Sequence, residues 1–237
     1  ITTNITIIAR LRYSTKVTLC AIVMNLLHII APCDEIVMQN ELMNIDRVNI
    51  LGVGVSAVNM KLALEVIAGW IAARAAHYVC VSNVHSIMSC HNDSELRAIH
   101  NRAGMVTPDG MPLVWLSRRA GYRHVERVYG PDLLLALCEY GLSHGYRHFF
   151  YGGGDGVAQR LAARLQARFP TLQVAGAHTP PFRPLSAAED DAMTRQLAQS
   201  GAHIIWVGLG MPKQERWMAA HTARLPQVLI GVGAAFD

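Results

Sequence analysis

Short apolar runs alternating with helical patterns decide what this chain can fold into. The runs fall at residues 48–53, 77–82, 104–107, 147–151, 172–175, 203–207 and 227–232. Between most of them, apolar residues recur near the helical period. The stretch 57–73 carries Val58, Leu62, Val66 and Ile67 on one face. The stretch 131–143 opens on Pro131 and repeats leucine at 133, 134 and 137, and 157–169 and 187–199 follow suit. Alternation of this kind builds a largely parallel, Rossmann-like α/β sheet with helices on both faces. Ligands of such sheets bind beyond the carboxyl ends of the strands. The loops after each strand are therefore where chemistry is sought.

Composition supports a packed domain. Of 237 residues, 51% are hydrophobic and 16% charged, which leaves ample core and argues against disorder. The net charge of +4 comes without any run of basic residues, so no nucleic-acid partner is expected. The five cysteines (Cys20, Cys33, Cys80, Cys90, Cys138) are odd in number and contain no C-x-x-C pair. That spacing argues against a disulfide framework or a structural zinc and fits a reducing compartment. The eleven histidines form no H-E-x-x-H spacing, and no metal site is expected. Residues 1–46 read as a separate N-terminal segment. Its apolar stretch 17–32 follows Arg10, Arg12 and Lys16 and is read as a buried or interfacial helix in preference to a membrane anchor or a targeting remnant.

The strongest local signal is Gly208-Leu-Gly210-Met-Pro212-Lys213-Gln214-Glu215, directly after an apolar run. It reads as a strand, a glycine turn and a helix start, which suits an anion such as a diphosphate. Tyr151-Gly152-Gly153-Gly154-Asp-Gly joins another strand to a helix, and its glycines leave backbone amides open to a ligand or simply make a tight turn. Gly52-Val-Gly54-Val-Ser-Ala57 matches a dinucleotide fingerprint, but the next strand ends in Ser82-Asn83 and supplies no acid for a ribose. A tight strand-to-helix turn is preferred there over a nicotinamide site. Ser82, Asn83 and His85 follow the second strand, either as helix caps or facing the ligand crevice. Asp109, before Gly110 at the end of the third strand, suits a cap, a sugar-hydroxyl ligand or a general base. Arg127, Gly130, Pro131 and Asp132 combine a cation with ordinary helix-start chemistry.

Taken together and in order, Ser82-Asn-Val-His85, Thr107-Pro-Asp-Gly110, Val128-Tyr-Gly-Pro-Asp132, Tyr151-Gly-Gly-Gly154, the Gly208–Glu215 octapeptide and Ile230-Gly-Val-Gly-Ala-Ala-Phe-Asp237 resemble the WecG/TagA/CpsF glycosyltransferase family (glycosyltransferase family 26). The resemblance covers about residues 47–237. It implies an inverting enzyme, cytoplasmic and peripheral to the inner face of the cell membrane. Such an enzyme moves N-acetylmannosamine, its uronic acid or glucose from a UDP-sugar to a polyprenyl-diphosphate-linked acceptor in surface-polysaccharide synthesis. No cofactor is implied, and a homo-oligomer is compatible with it. By the same resemblance Asp109 is the general base and Ser82 and Asn83 form the catalytic strand-end element. His85, Gly110, Arg127, Gly130, Asp132, Gly152–Gly154, Gly208, Gly210, Pro212, Lys213, Gln214 and Glu215 would bind substrate. Family members continue past the final Phe-Asp with an Arg- and aromatic-rich segment. The chain as given stops at Asp237, so this form is expected to be weak or inactive as a transferase. The alternatives are a sugar-nucleotide-binding protein without strong activity and, on Gly52, Gly54 and Ala57, a nicotinamide-dependent oxidoreductase.

Overall fold

The computed structural model describes residues 45–236. The expectations for the N-terminal segment, including the stretch 17–32, lie outside the described residues.

The described chain opens with a hairpin of β1 (Arg47–Ile50) and β2 (Val53–Ser56), paired antiparallel. This corrects the expected strand 48–53. The chain reverses at Leu51 and Gly52, both at positive φ (52° and 88°), as a two-residue hairpin turn requires. Asn49 Oδ1 accepts the Gly52 N–H at 2.9 Å, and Asn101 bonds Gly54 N and Gly52 O at the same distance. Gly52–Ala57 thus forms a turn and its return strand. There is no helix start for a dinucleotide to sit on, and the nicotinamide reading falls with the strand-to-helix turn it needed.

Six parallel strands follow: β3 (Tyr78–Ser82), β4 (Met105–Pro108), β5 (Arg147–Gly152), β6 (Gln173–His178), β7 (Ile204–Gly208) and β8 (Val228–Gly231). Their order across the sheet is β4-β3-β8-β7-β5-β6. The hairpin shields the β4 edge, where Ser56 Oγ accepts the Val106 N–H at 3.0 Å.

The helices are α1 (Met60–Ala72), α2 (Val84–Asn92), α3 (Ser94–Arg102), α4 (Met111–Arg119), α5 (Gly130–Leu142), α6 (Val157–Arg168), α7 (Ala187–Gln199) and α8 (Lys213–His221). Alternate strand residues leave opposite faces of the sheet and define two cores. Val79, Phe150, Trp206 and Ile230 pack with Ile67 and Trp70 of α1, Leu133 and Leu137 of α5 and Leu165 of α6. Cys80, Phe149, Tyr151, Val207 and Leu229 pack with Ile87, Leu96, Leu197 and Met218 from α2, α3, α7 and α8. All the parallel strands but the edge strand β6 are largely buried on both sides, which is why their runs read as continuously apolar. The connection from β8 ends in a 3₁₀ turn, Gly233–Phe236.

Candidate active site

A cavity of about 400 Å³ lies beyond the carboxyl ends of β3, β4 and β8. One wall comes from Asn83, His85 and Ser86 at the start of α2, Asp109 after β4, and Tyr129 with Gly130 entering α5. The other comes from Gly210, Met211, Gln214 and Glu215 around the start of α8, and from Gly231, Val232, Gly233 and Ala235 after β8.

Asp109 is held by the ends of two strands. Its N–H donates to the Ser82 carbonyl at 2.9 Å, tying the end of β4 to β3. The side chain is 15% exposed, and Oδ1 is buried with no hydrogen-bond partner among the described residues. Arg127 Nη2 stands 3.6 Å from that oxygen, an ion pair too long for a hydrogen bond. Burial pushes the Asp109 carboxyl above its ordinary range, the Arg127 charge pulls it back, and Asp132 adds a smaller upward push. The net effect is a carboxyl held above its ordinary range on the cavity wall.

Asn83 caps α2, its Oδ1 accepting the Ser86 N–H at 3.1 Å, with Ser86 Oγ closing the reciprocal bond to the Asn83 N–H at 3.4 Å. Both readings of Asn83 therefore coexist, since the cap also lines the cavity. Ser82 is fully buried and donates to the Cys80 carbonyl at 3.5 Å, so it sits beneath the site, outside the lining. Gly110 is the N-cap of α4. Arg127 reaches the site through Asp109 and Tyr129, and Asp132 lies in the first turn of α5.

The octapeptide after β7 divides its polar side chains. Lys213 is exposed at the start of α8, away from the lining, and Pro212 is the preceding cap. Gln214 and Glu215 turn inward and are buried. Gln214 Nε2 donates to Glu215 Oε1 at 2.9 Å, while Gln214 Oε1 and Glu215 Oε2 have no partner among the described residues. Burial raises the Glu215 carboxyl above its ordinary range, against the opposing Gln214 hydrogen bond.

The glycines of Tyr151–Gly154 lie outside the cavity lining. A Cβ on Gly152 would stand 2.4 Å from the Gly208 carbonyl oxygen, and the Gly153 N–H donates to that oxygen at 2.8 Å. A Cβ on Gly208 would stand 2.6 Å from the Phe236 ring. These glycines let β5 and β7 close up and seat Phe236, whose turn carries Gly233 and Ala235 into the cavity wall.

Tyr129, Met211, Val232, Gly233 and Ala235 join the site without having been singled out in the sequence. Each lies inside or beside a segment that was, so the segments located the site and only side-chain direction could choose within them.

The fold defines a Rossmann-like α/β protein with a cavity at its strand ends. The chain belongs to the Glycosyl transferase WecG/TagA/CpsF family, whose profile matches residues 48–237. Three similar curated proteins are all named N-acetylglucosaminyldiphosphoundecaprenol N-acetyl-beta-D-mannosaminyltransferase. The one from Bacillus spizizenii is 26% identical over 68% of this chain and 61% of its own length. That from Bacillus subtilis is 24% identical over 61% of this chain and 55% of its own. That from Staphylococcus aureus is 24% identical over 82% of this chain and 76% of its own. The chain thus spans less than two thirds of the two Bacillus relatives.

Proposed function

We propose that this protein is an inverting glycosyltransferase that moves an N-acetylmannosamine-type sugar from UDP to a polyprenyl-diphosphate-linked acceptor. The observation that carries the reading is Asp109, a half-buried carboxylate beside Arg127 on the wall of a strand-end cavity. Its oxygen takes the proton of the acceptor hydroxyl as that hydroxyl attacks the anomeric carbon. The bond to UDP breaks on the opposite side, and UDP leaves with the electron pair. The amino ends of α2 and α5 open onto the cavity and favour the negative charge that builds on the departing diphosphate.

The names of the relatives support the acceptor class and the sugar. The UDP carrier and action at the inner face of the membrane are part of the proposal. Among the described residues no helix is long and apolar enough to cross a membrane.

The test is transfer from UDP-N-acetylmannosamine, UDP-N-acetylmannosaminuronic acid and UDP-glucose to prenyl-diphosphate-linked N-acetylglucosamine. The reading expects an inverted product from the first donor. Thermal protection by UDP without transfer from any donor would leave a sugar-nucleotide-binding protein. Neither protection nor transfer would remove both readings.

A further inference from the structure

Helix α4 breaks the usual pattern of a surface helix. Leu113, Val114 and Ser117 face inward, yet Met111, Trp115 and Leu116 are exposed, Trp115 by 62%. Met111 and Trp115 are one turn apart and share a stripe. Helix α2 repeats the device with Val84 and Met88, also one turn apart and both exposed. The two helices start side by side, since β3 and β4 are neighbours and a Cβ on Gly110 would lie 3.8 Å from Asn83 Cβ. Both stripes therefore begin at the cavity rim formed by Asn83, His85 and Asp109. Single exposed apolar residues are ordinary, but a tryptophan among four others at one corner is not.

The charge beside this corner is predominantly positive. Helix α4 ends in Arg118 and Arg119, and Arg123, His124 and Arg127 follow, all exposed. Between Met111 and Tyr129 the sole carboxylate is Glu126. We infer that this corner docks on an anionic lipid bilayer. Trp115, Met111, Leu116 and Met88 enter the boundary between headgroups and acyl chains, and Arg118, Arg119 and Arg123 face lipid phosphates. An apolar stripe with a predominantly cationic flank, five basic side chains against Glu126, is the pattern of an interfacial helix, whereas a protein partner would meet a polar rim of more evenly mixed charge. Docked this way, the cavity mouth lies at the membrane plane, so an acceptor anchored by its prenyl chain meets Asp109 without leaving the bilayer. That consequence rests on the proposed transfer reaction; the docking itself does not.

The experiment is co-sedimentation of the whole chain with vesicles of phosphatidylcholine alone or mixed equally with phosphatidylglycerol. Binding is expected to the anionic vesicles and to fall as salt is raised. Trp115→Ser with Met111→Ser should weaken it about tenfold. Arg119→Gln with Arg123→Gln should weaken it about tenfold on anionic vesicles only. Both variants should keep the parent's thermal unfolding and its transfer to a short, water-soluble prenyl acceptor. The inference is overturned if the parent ignores anionic vesicles or if the variants bind as the parent does. It is equally overturned if Trp115→Ser splits a dimer that itself binds no vesicles, which makes the face a contact between copies. Vesicle binding without any transfer would sink the transferase reading and leave the docking standing.

Discussion

Arg127 grips Asp109 at both ends. Its Nε donates to the Asp109 backbone carbonyl at 2.6 Å, and its Nη2 stands 3.6 Å from the carboxylate. The guanidinium also lies 4.2 Å from the centroid of the Tyr129 ring. One arginine thus positions the proposed base, sets its charge balance and braces an aromatic side of the cavity.

That arrangement predicts a pH profile. The base works as a carboxylate, and burial raises its pKa while Arg127 lowers it. Transfer should therefore rise with pH through an acidic limb. In Arg127→Gln the opposing charge is gone, so the limb moves to higher pH and transfer at mildly acidic pH falls roughly tenfold. A limb that stays in place would show that Arg127 does not tune Asp109.

Glu215 makes a prediction about stability. Its carboxyl is buried, half-partnered and raised above the ordinary value. The folded chain then holds this proton more tightly than the unfolded chain. Stability contributed by the protonated form is lost as pH rises through the raised value. Glu215→Gln removes the titration, so its advantage over the parent should grow toward alkaline pH, to on the order of 1 kcal/mol. Denaturant unfolding at mildly acidic and mildly alkaline pH would show it, and an equal gap at both would contradict it.

Phe236 locks the wall after β8. It is buried on Phe150, with ring centroids 6.3 Å apart, and on the backbone of Gly208. Phe236→Ala should cost about 3–5 kcal/mol, and Gly208→Ala, which drives a methyl into the ring, about 1–3 kcal/mol. Both should weaken UDP binding as the Gly233–Phe236 turn loosens, which calorimetry can measure on folded protein. Binding equal to the parent would show that this turn does not shape the site.

Much of this was legible in the sequence because the parallel strands, apart from the edge strand β6, are buried on both faces and announce themselves as apolar runs. Helix α7 falls on residues 187–199 as its periodicity indicates, with Ser186 capping it and bonding Glu189. The hairpin was not legible, because its reversal depends on Leu51 adopting a positive φ that leucine rarely takes. Helices α2, α3 and α4 are nine residues each, and α4 exposes the very apolar residues that a periodicity argument would bury. At the site, Asp109 and Asn83 stand where their positions after strands suggest. The Gly152–Gly154 run reads as open amides or a tight turn; Gly153 and Gly154 lie closest to the nearby Val157, yet Gly152 is set by the backbone of Gly208, more than fifty positions away. Such contacts leave no local trace.

The central claim is that Asp109 takes the acceptor proton, and Asp109→Asn tests it most directly. The substitution keeps the shape and the backbone bond to Ser82 while removing the basic oxygen. With a UDP-sugar donor and a prenyl-diphosphate-linked acceptor, transfer should fall about a hundredfold or more, with UDP binding and unfolding close to the parent. Transfer at the parent rate by the folded variant would contradict the account.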